Sequence, residues 1–142
     1  MPIKNTRQFV LIPITREKSH HITVVAHLSG RPARFVVDTG AGGTILDVEA
    51  VSQYKLKLSS ASRKGGGVGS AAMRMNYVSK HDLTLGGLDL SGTKLLTLNL
   101  SHVNAGLTKN KVEPVVGVIG ADVLWNRHAI IDYDRGIMLL SA

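Results

Sequence analysis

Over most of the chain apolar and polar positions alternate with the two-residue period of half-buried strands, and the segments that break the alternation are rich in Gly, Pro and Ser. "QFVLIPITRE" at 8–17 reads as extended. "HITVVAHLSGRPARFVVD" at 21–38 reads as two strands joined at Ser29-Gly30-Arg31-Pro32, a hairpin that ends at Asp38. In "DVEAVSQYKL" at 47–56, Asp47 stands at an N-cap position and Val48, Val51 and Tyr54 recur at helical spacing, which predicts a short helix or 3₁₀ turn. "SSASRKGGGVGSAA" at 59–72 has no core-forming period and predicts a flexible hairpin or loop, the softest part of the chain. Leu83 and Leu85, a Gly-Gly turn, Leu88 and Leu90, then Leu96, Leu98 and Leu100 predict half-buried strands as far as Ser101, and "HVNAGLTKNKVEP" predicts a polar loop. Val118 and Ile119 then end a buried strand, Gly120 makes a tight turn, Asp122 to Arg127 form a short helix, and "AIIDY" and "IMLL" are two strands around "DRG".

Composition narrows this to one sheet-rich domain spanning residues 1–142: 44% of residues are hydrophobic but few are aromatic, so the core is aliphatic and β-branched. The absence of Cys excludes a disulfide framework, a thiolate zinc site and a cysteine nucleophile, and leaves the compartment open. No stretch approaches the ~20 apolar residues of a membrane span, and no signal peptide is visible. A soluble chain is expected, cytoplasmic if this is the full sequence. The net charge of +7 is concentrated at Lys55, Lys57, Arg63, Lys64, Arg74 and Lys80, a stretch with no acid. Only Tyr54 and Tyr77 are available there for stacking on bases, so the stretch reads as a solvated basic face and no nucleic-acid partner is expected.

The candidate chemistry lies in "FVVDTGAGGTILD" at 35–47, which drives a carboxylate to the end of a core strand. Ionised Asp38 needs donors there, and the backbone amides of the small-residue turn are at hand. Gly40, Gly42 and Gly43 leave that turn uncovered, so a peptide can approach closely. "VVDTGA" at 36–41 resembles the catalytic signature of retropepsin-like aspartic proteases. "VIGADVLWNRHAIIDYDRG" at 118–136 is similar to the second signature of the bacterial, single-domain type, in which an apolar-apolar-Gly segment crosses behind the catalytic loop and runs into a short helix.

The resemblance implies an all-β, retropepsin-like half-barrel with one or two short helices, assembled as a two-fold homodimer and using no cofactor or metal. Asp38 is then the catalytic residue. Thr39 reaches across the dyad to the partner loop, Gly40 presents an N–H to the carboxylate and Ala41 lines the floor. A flap at about 60–76, with Gly65, Gly66, Gly67, Val68 and Gly69, closes over a peptide or protein substrate. Val118, Ile119, Gly120 and Asp122 form the structural second signature, Asp122 capping backbone amides; Asp132 and Asp134 serve the "DYDRG" turn. Gly42 stands where relatives often carry a hydroxyl.

Carboxylate-driven peptide hydrolysis needs one ionised and one protonated carboxyl, and two carboxyls held close share a proton, as is established for aspartic proteases as a class. Only one Asp-Thr-Gly occurs in the chain, so the active site requires two copies. The function implied is an aspartic endopeptidase working through an Asp38 pair; the alternative is a non-catalytic retropepsin-fold peptide-binding or dimerisation module. The apolar terminus "IMLLSA" is expected to form the interface strand, and Arg63 and Lys64 hint at acidic residues in the substrate. Other chemistries lack support: His20, His21, His27, His81, His102 and His128 show no metal spacing, the glycine run is not a phosphate loop, and no G-x-S-x-G elbow occurs.

Overall fold

The computed structural model describes residues 7–59, 63–64 and 74–142. Its first four strands are β1 (Phe9–Pro13), β2 (Thr15–Arg16), β3 (Ile22–Leu28) and β4 (Arg31–Val37). Then come β5 (Ile45–Asp47), α1 (Val48–Gln53), β6 (Arg63–Lys64), β7 (Arg74–Tyr77), β8 (Thr84–Leu85), β9 (Leu88–Asp89) and β10 (Leu96–Leu98). The chain ends with α2 (Ser101–Lys109), β11 (Gly117–Ile119), α3 (Ala121–Asn126), β12 (Ile130–Asp132) and β13 (Ile137–Ser141). The larger sheet runs β6-β7-β10-β5-β11-β4-β3-β8-β9, with β2 also beside β3, and a second sheet runs β1-β13-β12.

The β3–β4 hairpin is the backbone of the fold, paired from Ile22↔Val37 to Leu28↔Arg31. Phe35, Leu28, Leu46, Leu83, Leu85, Ile119, Met138 and Leu140 are buried in one continuous core. β11 inserts between β4 and β5, parallel to the first and antiparallel to the second. Its register, Val36↔Val118 and Val37↔Ile119, brings the ends of two apolar strands side by side. Asp47 caps α1 by accepting from the Glu49 amide at 3.3 Å, and the β8–β9 turn uses Gly86 and Gly87, both at positive φ.

Three expectations change. The segment read as a polar loop contains α2, and β structure ends at Leu98 instead of Ser101. α2 shows little hydrophobic period because its buried contribution is Leu107, which packs with Val36, Val112 and Val115. It is pinned by Asn104, whose amide donates to the Val115 carbonyl at 3.0 Å while its oxygen accepts from the Val115 N–H at 2.8 Å. At β10 the buried positions are Thr97 and, just before the strand, Leu95; Leu96 and Leu98 are half-buried on the other face. The "IMLL" segment is the middle strand of the smaller sheet, paired with β1 and β12 within its own chain. Its apolar side chains Met138 and Leu140 are consumed by the core, so neither edge is free for a partner strand.

Gly65, Gly66, Gly67 and Gly69, with Val68, which are expected to form a flap, lie outside the described residues. On either side of them, Arg63 pairs with Met75 and Lys64 with Arg74.

Candidate active site

β4 delivers Asp38 to the end of the sheet, where its amide donates to the Ile119 carbonyl at 3.0 Å and so extends the β4–β11 ladder by one step. The chain then turns: the Ala41 N–H reaches the Asp38 carbonyl at 3.2 Å, and the Gly40 N–H meets the carboxylate oxygen Oδ1 at 2.8 Å. The Ala121 N–H, from the second apolar-apolar-Gly segment, donates to the Ala41 carbonyl at 2.6 Å. The two backbones cross in contact. A Cβ on Gly120 would overlap the Gly43 carbonyl oxygen and stand 2.8 Å from that of Ala41, so this crossing admits no side chain.

Beneath the loop lies a network that sequence reasoning missed in part. Thr44 is fully buried; its hydroxyl donates to Asp122 Oδ1 at 2.7 Å and accepts from the Gly120 N–H at 3.1 Å. The Thr44 amide donates to Asp122 Oδ2 at 3.2 Å, and the Val123 amide to Oδ1 at 2.8 Å. Asp122 therefore ties α3 to the root of the Asp38 loop. The one sequence signal for Thr44 was a hydroxyl set between a glycine pair and an apolar run, a pattern equally at home in any strand start.

Above this root the loop is open. Asp38, Thr39 and Gly40 are exposed, and among the described residues the Gly40 amide is the one hydrogen-bond donor to the Asp38 carboxylate. Two cavities flank it. One, of about 550 Å³, is lined by Thr39, Leu124, Trp125, His128 and Ile131; the other, of about 270 Å³, by His20, His21, Asp38, Thr39, Ile131 and Tyr133. Trp125, which lines the first cavity, is 81% exposed and Tyr133, which lines the second, 73%, so unpartnered aromatic side chains border the loop.

Two other acids, Asp132 and Asp89, are engaged by near neighbours in the chain. Asp132 accepts from the Arg135 amide at 3.0 Å and from its guanidinium at 2.8 Å, and these bonds hold its carboxyl below the usual range. The Ser91 hydrogen bonds do the same for Asp89. Among the described residues no cluster of three or more His, Asp or Glu forms a metal-type site, and no helix is long and apolar enough to cross a membrane.

Residues 24–123 match the family model described as aspartyl protease. Among solved structures, a retropepsin-like aspartic protease from Rickettsia conorii superposes with a TM-score of 0.63 at 15% identity, covering 99% of this chain and 97% of that one. EIAV protease complexed with the inhibitor HBY-793 gives 0.49 at 15% identity over 93% of this chain and 98% of that one. The retroviral protease-like domain of Ddi1 from Leishmania major gives 0.49 at 14% over 84% and 92%. By sequence, no curated protein matches. With the family model extending from β3 into α3 and the fold shared almost end to end with the rickettsial structure, this chain belongs to the aspartyl protease family and adopts the retropepsin-like fold.

Proposed function

We infer that the protein is an aspartic endopeptidase whose active site is completed by a second copy of the chain. The observation that carries this reading is the state of Asp38: a carboxylate placed by a rigid, doubly braced loop, yet exposed and bordered by uncovered apolar side chains. A surface acid has no need of such bracing. A two-fold partner set on the Thr39, Trp125 and Tyr133 face brings a second Asp38 toward the first and covers that apolar border. Thr39, which lines both cavities, then bonds the partner's loop.

In the dimer the ionised carboxylate takes a proton from water while the protonated one donates to the substrate carbonyl oxygen. The water oxygen bonds to the carbonyl carbon and gives a tetrahedral diol. Collapse of the diol breaks the C–N bond, the nitrogen leaves with a proton, and the pair again holds one proton. One water is consumed per bond cut. On this reading the segment between β6 and β7 serves as the flap, and the backbone of an extended substrate can pair as an added strand.

The test is to incubate wild type and Asp38→Ala with a diverse peptide mixture from about pH 4 to 7, with and without a transition-state-mimicking aspartic-protease inhibitor, and to read the products by mass spectrometry. Cleavage that disappears in the variant and with the inhibitor is the expected result. A wild-type chain that sediments as a dimer and cuts nothing points instead to the non-catalytic peptide-binding module.

A further inference from the structure

We propose that the end of the β3–β4 hairpin opposite Asp38 is a docking surface for an acidic stretch of polypeptide, held by Arg31, Lys55, Lys57 and Lys80. The assignment of that stretch to the substrate, away from the bond that is cut, rests on the protease reading above.

The β3–β4 turn gathers these cations from three segments of the chain. The Ser29 hydroxyl donates to the Tyr54 carbonyl at 2.6 Å and the Ser29 amide to Asp82 Oδ1 at 2.7 Å, so the turn holds residues 54–57 and 79–82 around itself. The Lys57 carbonyl accepts from the Ser79 amide at 2.8 Å and from its hydroxyl at 3.0 Å, which sets Lys57 beside Lys80. Arg31 opens β4 with its guanidinium 4.6 Å from the centre of the Tyr54 ring, and Lys55 follows that tyrosine. All four cations are exposed on this fixed framework.

Their charge is uncompensated. Segments 29–32, 54–58 and 77–82 contain one acid, Asp82, and its Oδ1 is taken by Ser29. Among the described residues the ion pairs are Arg34–Glu17 and Arg135–Asp132, and neither includes these cations. Crowded like charges repel, a cost that one acid in place of a lysine would relieve. A surface that keeps the cost suits a ligand of opposite charge.

The neighbouring rings favour polypeptide over nucleic acid. Tyr54 is buried with Arg31 over its ring, and the Tyr77 ring carries the Lys94 ammonium at 3.8 Å, so neither offers a platform on which a base can stack. The one guanidinium is spent on Tyr54, and the other three cations are lysines, point charges without the planar fork suited to phosphate. Carboxylates are sufficient partners for them, and peptide is what the proposed enzyme takes up.

β4 runs seven residues from Arg31 to Val37 before the chain reaches Asp38. At about 3.3 Å per residue its two ends stand roughly 23 Å apart, so a side chain next to the scissile bond cannot reach the cations. The docked stretch lies at least about seven extended residues along the substrate, and its tethering raises the local concentration of the bond to be cut. Such binding is equal in ground and transition states, so it lowers KM and leaves kcat alone.

Binding is read first, without turnover. A capped, dye-labelled peptide of about twelve residues alternating Glu with Gly, and its Gln analogue, are titrated into Asp38→Asn at about 50 mM salt and followed by fluorescence anisotropy. The Glu peptide should bind and the Gln peptide should not, and about 300 mM salt should weaken binding severalfold. Lys55→Gln/Lys57→Gln/Lys80→Gln should weaken it about five- to tenfold. Lys18→Gln/Lys109→Gln/Lys111→Gln, which removes the same charge from other exposed positions, should leave it within about twofold. Equal loss in both variants, no binding, or tighter binding of single-stranded DNA or phosphatidylserine vesicles through the same lysines overturns the surface.

A peptide that wild type cuts is then extended, through a linker of about sixteen Gly and Ser residues, by a tail of six Glu or six Gln. The Glu tail should lower KM about three- to tenfold with kcat unchanged, and the Lys55, Lys57 and Lys80 variant should lose that gain. A Glu tail without effect overturns the docking of substrate. Cleavage with no binding of the Glu peptide overturns the surface and leaves the protease reading standing. Binding that depends on the three lysines, with no wild-type cleavage of any peptide, supports the surface and sinks the protease reading.

Discussion

Val36-Val37-Asp38 and Val118-Ile119-Gly120 run in parallel, pair residue for residue and leave the sheet at the same level, but they handle their acids in opposite ways. The first segment puts a carboxylate at the strand end, exposed and met by one amide. The second puts glycine there, lets the backbones cross, and turns its acid, Asp122, inward onto the Thr44 hydroxyl and the amides of Thr44 and Val123. A carboxylate whose acceptor sites are taken up by the protein is structural. One with most of them unused, on a rigid mount, is available to a substrate or to a second carboxyl. The difference separates the two acids without reference to any relative.

The comparison can be broken at each end. The largest effect is expected from Asp38→Asn, which should lower kcat/KM by at least about 10³-fold in a peptide-cleavage assay while leaving the urea midpoint essentially unchanged. The reverse pattern belongs to the second segment. Gly120→Ala forces a Cβ onto the Gly43 carbonyl and should cost about 3 kcal/mol of stability by urea unfolding. Gly42→Ala, in the same loop but with open space around its Cβ, should fall within about 0.5 kcal/mol of wild type. If the two alanines behave alike, the crossing is not the constraint described.

Asp122→Ala strips the acceptor from three donors and should cost about 2 kcal/mol, with Thr44→Val costing less because one hydroxyl is lost from the same network. Asp122→Asn keeps one acceptor oxygen and should recover part of the loss; a full loss would mean that the charge matters more than the hydrogen bonds.

The smallest effect concerns Asp132. Its folded-state carboxyl is held below the usual 3.8 by Arg135, so its stabilisation is present above that value and is lost as pH falls through the lowered one. Asp132→Asn should therefore be slightly less stable than wild type near pH 6, with the difference vanishing in strong acid. Thermal melts across that range read it.

Much of the fold was legible because its signals are local. The hairpin ending at Asp38, the Asp47 cap, the Gly86-Gly87 turn and the buried Val118-Ile119 pair each depend on a few neighbouring residues. What stayed hidden depends on distant partners. α2 is held by Asn104 against Val115 and by a single buried leucine, too little to show as a helical period. β10 buries Thr97 and leaves its leucines Leu96 and Leu98 half-buried, so its apolar alternation does not report which face is core. The terminal strand's apolar residues were read as an interface because nothing in the sequence shows that β1, more than a hundred residues away, and β12 close both its edges. In the candidate site, Asp38 stands out in the sequence through its Asp-Thr-Gly motif, whereas Thr44 acquires its role only when β11 brings Asp122 beneath it.

The central claim, that each active site takes one Asp38 from each of two chains, is tested most directly by mixing. Wild type and Asp38→Asn are unfolded, combined in varied proportions at constant total concentration, refolded together and assayed. If both carboxyls are needed, mixed dimers are inactive and activity follows the square of the wild-type fraction. Activity that falls in simple proportion to that fraction would mean that a single chain carries the whole reaction, and would contradict the account.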